Sequence, residues 1–197
     1  MTDVKRIIGA DILSASESVN IKDGYLTYKN DRLYVKNIAH ERPIDRTSDV
    51  LTETVSVSNT TTETTIYTGV IGSNSLRAGN ILKLHCDGDL SNNSAADDVT
   101  IKIYLGAVEI LSFEPAIGNV TDAHWDIVGN MTIRTTGSTG TMAYHLDALI
   151  DDHETNIVGT SSVDTTISKD FIVTVTWDNA KADNIFNIYQ GFTEWKN

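Results

Sequence analysis

The chain has 197 residues, 40% of them hydrophobic, and a formal net charge of −12 with a pI near 4.6. That length and apolar content suffice for one sizeable core plus an accessory segment. The negative charge argues against a nucleic-acid partner held through its phosphates, and the single cysteine, Cys86, excludes an internal disulfide.

The charge is unevenly placed. Residues 1–50 carry eight basic and eight acidic side chains, whereas residues 51–197 carry seven basic against nineteen acidic. A neutral N-terminal arm joined to an acidic body reads as two units with different partners. The N-terminus, from Met1 to Gly9, lacks the apolar run of a signal peptide. No stretch approaches the roughly 20 apolar residues of a membrane span, so a membrane role is not expected.

In the arm, Lys22–Tyr28 and Arg32–Val35 flank Lys29-Asn30-Asp31 and predict a β-hairpin. Two strands alone are marginal in water, so the hairpin must lean on something. Tyr25, Tyr28 and Tyr34 concentrate aromatic surface on it, and Ile7-Ile8 add an apolar patch. These five residues suit a contact with a partner, or with the chain's own body. Pro43 and the polar run Asp45–Asp49 read as a linker, which divides the chain into residues 1–50 and 51–197.

From about Thr52 onward apolar and polar residues alternate in short runs, the mark of strands with one dry and one wet face. Such runs are Val55–Val57, Thr60–Tyr67 leading into Gly69–Gly72, Ile81–His85, Val99–Leu105 and Val108–Phe113. They continue in Trp125–Thr135, Met142–Ile150, Phe171–Trp177 and Ile185–Tyr189. Gly106-Ala107 makes a hairpin turn, and Asp87–Ser94 and Pro115–Asp122 read as loops. About eight to ten strands at this spacing predict an all-β fold, a jelly-roll β-sandwich of two four-stranded sheets.

Several residue groups could carry chemistry. Asp87, Asp89, Ser91, Asn93, Asp97 and Asp98 gather oxygen ligands of the kind calcium takes, although Asn92 stands where a calcium loop needs its turn glycine. A solvated acidic loop explains the same residues. Asp151-Asp152-His153-Glu154 reads as an exposed turn. The five histidines are scattered, and no nucleophile–base motif surrounds them, Cys86 or any serine. Glu109 with Glu114, or Asp147 with Asp151, could pair as glycosidase carboxylates, but spacing alone fixes no distance between them. Trp125 and Trp177 lie in strand patterns and are expected in the core. Trp195, two residues from the end of the sequence, suits a subunit or ligand contact.

The order of blocks then resembles the jelly-roll proteins of tailed-bacteriophage virions. The blocks are Thr62–Gly72, Leu76–Leu84, Ile101–Gly106, Trp125–Thr135, and Phe171–Trp177 followed by Ala180 and Asn184. The resemblance covers residues 52–190 and carries over no catalytic residue and no cofactor. It implies a non-enzymatic virion structural protein, a homotrimer displayed on capsid, tail or fibre. On that reading Ile7, Ile8, Tyr25, Tyr28 and Tyr34 form the attachment surface toward other virion proteins. The alternative is a carbohydrate- or host-receptor-binding module at a fibre tip, with a host surface glycan as a candidate partner.

Overall fold

A computed structural model describes the backbone of residues 18–21, 24–29, 32–37, 41–43 and 49–196, with side chains from 49 to 194. The chain divides into two units, residues 1–47 and 48–197.

In the first unit, β1 (Ser18–Ile21), β2 (Gly24–Lys29), β3 (Arg32–Asn37) and β4 (Glu41–Pro43) form an antiparallel sheet in that order. β2 and β3 are the predicted hairpin, with Lys29 opposite Arg32. The pattern had suggested two strands; β1 and β4 flank the hairpin and make four. Tyr25, Tyr28 and Tyr34 lie on β2 and β3, but their side chains fall outside the described residues, as do Ile7 and Ile8.

The second unit is a β-sandwich of two antiparallel sheets. Its strands are β5 (Asp49–Val50), β6 (Val55–Ser58), β7 (Thr64–Ile71), β8 (Ile81–Asn92), β9 (Val99–Leu105) and β10 (Val108–Phe113). They continue as β11 (Val120–Thr135), β12 (Gly140–Ile150), β13 (His153–Val163), β14 (Lys169–Trp177) and β15 (Ile185–Lys196). The smaller sheet has the order β10-β9-β14-β7. The larger runs β13-β12-β11-β8-β15-β5, with β6 also paired to β15. The expected sandwich is therefore present, but its sheets hold four and seven strands rather than four each. The presumed linker also ends early: Asp49 is already in β5, opposite Thr193, and accepts the Tyr67 hydroxyl on its carbonyl at 2.7 Å.

The inner faces supply the core. Ile101, Ile103, Phe171, Val173, Val175 and Trp177 of the smaller sheet face Leu82, Leu84, Cys86, Leu90, Trp125, Ile127 and Phe186 of the larger, and all are buried. Trp125 and Phe186 pack with ring centroids 4.6 Å apart, a contact worth about 0.5–1.5 kcal/mol beyond its buried area. Trp125, Trp177 and Cys86 are thus core residues, as their strand positions had implied.

β8 is longer than its first half predicted. Burial alternates without a break from Ile81 to Asn92, with Cys86, Gly88, Leu90 and Asn92 all inward. The stretch read as a polar loop from Asp87 is strand to Asn92, and Asp87 and Asp89 occupy its outer face. β13 carries no strong pattern and was not anticipated. It pairs with β12 across the tight turn at Asp151-Asp152, both at positive φ (46° and 65°), as a two-residue hairpin requires.

Candidate functional site

Strand alternation and register decide what the outer face of the larger sheet displays. Asp89 of β8 stands between His124 of β11 and Asn187 of β15, its direct neighbours in the two ladders. A register shift between Ile188 and Gln190 inserts one extra residue, Tyr189, into β15. Ile188 stays inward while Tyr189 lies 47% exposed beside Asp89.

These side chains are tied together. Tyr189 donates its hydroxyl hydrogen to Asp89 Oδ2, and Asn187 Nδ2 donates to Asp89 Oδ1 at 2.8 Å. The Asp89 carboxylate raises the Tyr189 phenol above its ordinary pKa of 10.0, so the hydroxyl stays protonated and donating. His124 Nδ1 lies 3.2 Å from the Gly88 carbonyl and donates to it when that nitrogen carries the proton.

The core holds this patch in place from below. Trp125 Nε1 donates to the carbonyls of Asp89 (3.1 Å) and Asn187 (2.9 Å), bridging the two strands that bear the patch. Gly88 is required by the same close approach: a Cβ there would sit 1.9 Å from the Asn187 carbonyl oxygen. An exposed aromatic ring beside a carboxylate, an amide and an imidazole offers a stacking surface and hydrogen-bonding groups to a polyhydroxylated ligand.

Further along the face, His85 Nε2 lies 2.9 Å from Asp126 Oδ1 and 3.8 Å from Asp87 Oδ2, with its ring edge-on to Phe192. His145 Nε2 lies 3.2 Å from Asp147 Oδ1. The histidines that look scattered in the sequence include three, His85, His124 and His145, that share one outer face. Strand parity counted outward from the buried positions could have grouped them.

The outer face of the smaller sheet has a separate cluster. Tyr104 and Thr174 donate to Glu63 Oε1, each at 2.7 Å, and Lys102 lies 3.4 Å from Glu109 and 3.9 Å from Glu63. The Thr174 and Tyr104 hydrogen bonds hold the Glu63 carboxyl below its usual range. Glu63, Tyr104, Lys102 and Thr174 were not singled out in the sequence, because they come from distant positions on β9, β14 and the approach to β7. The carboxylate pairs weighed for glycosidase chemistry have other attachments. Glu109 faces Lys102, Glu114 accepts from Thr100 Oγ1, Asp147 lies beside His145, and Asp151 sits in the β12–β13 turn.

The four acidic residues grouped as a possible cation loop occupy different environments. Asp87 and Asp89 point outward from a strand, whereas Asp97 follows the turn closed by its N–H on the Ser94 carbonyl. The Asp97 carboxyl is 2% exposed, and Lys181 Nζ reaches both its oxygens at 2.6 and 2.7 Å. The Lys181 ammonium thus pairs with the Asp97 carboxylate. The backbone N–H of Asp98 donates to Asp178. Among the described residues, no group of three or more histidine, cysteine or acidic side chains could hold a metal ion. Burial pushes the Cys86 thiol far above its ordinary value, which makes it inert as a nucleophile. Trp195 lies opposite Leu82 in the β8–β15 ladder, and its side chain falls outside the described residues.

No protein-family model matches the chain, and no curated protein matches it. Among solved structures, it is similar to the CBM2 module of the evolved Dit protein of Lactobacillus casei BL23 phage J-1. The identity is 14% and the TM-score 0.35, over 90% of this chain and 81% of that one. It is also similar to the VP2 subviral particle protein of infectious bursal disease virus, at 9% identity and TM-score 0.30, over 89% of this chain but only 40% of the other. A third is the lectin UEA-II complexed with galactose, at 7% identity and TM-score 0.34, over 89% and 91%. At these scores and identities none of the three assigns a function to this chain. Among the described residues no helix is long and apolar enough to cross a membrane.

Proposed function

We propose that the chain is a non-enzymatic structural protein of a bacteriophage particle, a displayed β-sandwich attached through its N-terminal unit. The carrying observation is the broad outer face of the seven-stranded sheet. There Val128, Leu149 and Val158 stand exposed among Asp126, Asp147 and His145. A wide face of mixed apolar and polar side chains suits packing against other protein surfaces better than it suits enclosing a small substrate. The order of sequence blocks adds support, since the strands it spans, β7, β8, β9, β11 and β14, build the sandwich core.

The test uses purified particles and a truncation. Removal of residues 1–47 spares Asp49, whose carboxylate accepts the Val70 N–H at 2.7 Å and whose carbonyl accepts the Tyr67 hydroxyl. The truncated chain is expected to stay soluble and β-rich by circular dichroism yet be missing from particles that incorporate the full chain. Absence of the full chain from purified particles sinks the proposal, and incorporation of the truncated chain moves attachment to the sandwich.

A second reading, a glycan-binding module, is favoured by the Tyr189–Asp89–Asn187–His124 patch. Tyr189→Ala removes the ring and is expected to reduce glycan-array signal at least tenfold, the loss of about 1.4 kcal/mol of binding. A wild-type chain with no signal above background removes this reading.

A further inference from the structure

A β-sheet exposes a row of unpaired N–H and C=O groups at each edge, and proteins blunt such edges with short strands, bulges, charges or covering groups. Three of the four edges in this sandwich are blunted. β10 is six residues long, is bulged between Glu109 and Leu111, and carries Glu109. At the β7 edge the Asp49 carboxylate accepts the Val70 N–H. The β5/β6 edge is split into strands of two and four residues.

β13 is long and regular, and its one acidic residue, Glu154, lies at its start. It is 11 residues long and pairs with β12 from His153 to Val163 without a register shift. Among the described residues no strand pairs with its other side. From Thr155 to Val163 it contains no charged residue and no proline, in a chain whose net charge is −12. At its centre Val158 is 73% exposed, more than any other large apolar residue described. In an acidic protein whose copies repel one another, an uncharged, regular edge is where two copies can approach.

We propose that β13 pairs antiparallel with β13 of a second copy across a twofold axis at Val158, joining the two larger sheets edge to edge. The strand is self-complementary in this register. Val158 meets its own counterpart, Asn156 lies opposite Thr160, Glu154 opposite Ser162, and Ile157 opposite Gly159. The two Glu154 carboxylates end eight residues apart, about 27 Å at the strand rise and well beyond the ~8–10 Å screening length. A twofold contact is isologous and closes at two copies. The edge therefore builds even-numbered assemblies, not by itself the homotrimer that the sequence resemblance implies. The inference stands on edge chemistry and does not require the virion reading.

The test is sedimentation velocity of the full chain at micromolar concentration, with two variants. The wild type is expected to show a species with an even number of copies. Val158→Glu places two carboxylates opposite each other and is expected to weaken association at least tenfold, with an unchanged circular dichroism spectrum because the site is exposed. In Val158→Cys the facing Cα atoms would lie about 4.5–5.5 Å apart, inside the range a disulfide spans. Oxidation should then give a covalent dimer, since Cys86 is buried and cannot substitute for it. Thr68→Cys, exposed on the other sheet, should give none. A monomeric or odd-numbered wild type, an unaffected Val158→Glu assembly, or no crosslink in Val158→Cys each overturns the proposal.

Discussion

Trp125→Ala is expected to destabilise the sandwich by about 5 kcal/mol, a large share of the ~5–15 kcal/mol that holds a typical domain together. The side chain is fully buried between the sheets and packs on Phe186. Its truncation leaves a cavity, for which tryptophan-to-alanine changes cost about 3–5 kcal/mol. The indole N–H is also lost, so the carbonyls of Asp89 and Asn187 lose a shared donor, a further ~1–2 kcal/mol. Trp125→Phe separates the two effects, because it keeps a ring but removes the donor, and should cost less than half as much. Urea denaturation followed by circular dichroism measures both. A Trp125→Ala midpoint close to wild type would show that the indole does not lock β8 to β15. The same variant should disorder the Tyr189 patch, which stands directly on those two strands.

The second large effect is expected at Asp97. Its carboxyl receives Lys181 on both oxygens, Asn184 Nδ2 at 3.2 Å and Asn179 Nδ2 at 3.0 Å. The Lys181 hydrogen bond, followed by those from Asn184 and Asn179, holds it below the ordinary value of 3.8 against the opposing effect of burial. A carboxyl whose folded pKa lies below its unfolded one contributes stability that is complete above the unfolded value. That stability is lost as the pH falls through the folded value. Asp97→Asn removes the charge but keeps the shape, so it should lower the melting temperature clearly at pH 7. The gap to wild type should close as the pH drops below about 3.8. Comparing the two proteins at each pH cancels the effect of the remaining acidic residues. A gap that stays constant from pH 7 to 3 would mean that the ionised carboxylate is not what Lys181 and the two asparagines stabilise.

Both predictions join segments far apart in the chain: Trp125 reaches Asn187 across 62 residues, and Asp97 reaches Lys181 across 84. Sequence reasoning placed Trp125 in the core because it sits at an apolar position of an alternating run. Nothing in that run showed that its N–H fixes the strands beneath an exposed tyrosine. Asp97 was grouped with Asp87 and Asp89 by proximity in the chain. Strand parity turned Asp87 and Asp89 outward, while the turn at Ser94–Asp97 carried Asp97 inward to Lys181.

The sequence by itself determined the all-β class, the sandwich, the N-terminal hairpin, and the burial of Trp125, Trp177 and Cys86. Each of these follows from a local period of two or from local turn residues. Only the tertiary structure decided the width of the larger sheet and what its outer face displays. β13 escaped notice because it lies at the rim of a seven-stranded sheet that packs on a four-stranded one. Its inner residues Thr155, Ile157, Gly159 and Ser161 are only half-buried, so burial imposes no apolar alternation there. The Asp89–Asn187–Tyr189 patch depends on a one-residue bulge in β15 and on β8 running on through Gly88. Register between strands about 100 residues apart is set by how the two sheets pack, and no local pattern encodes it.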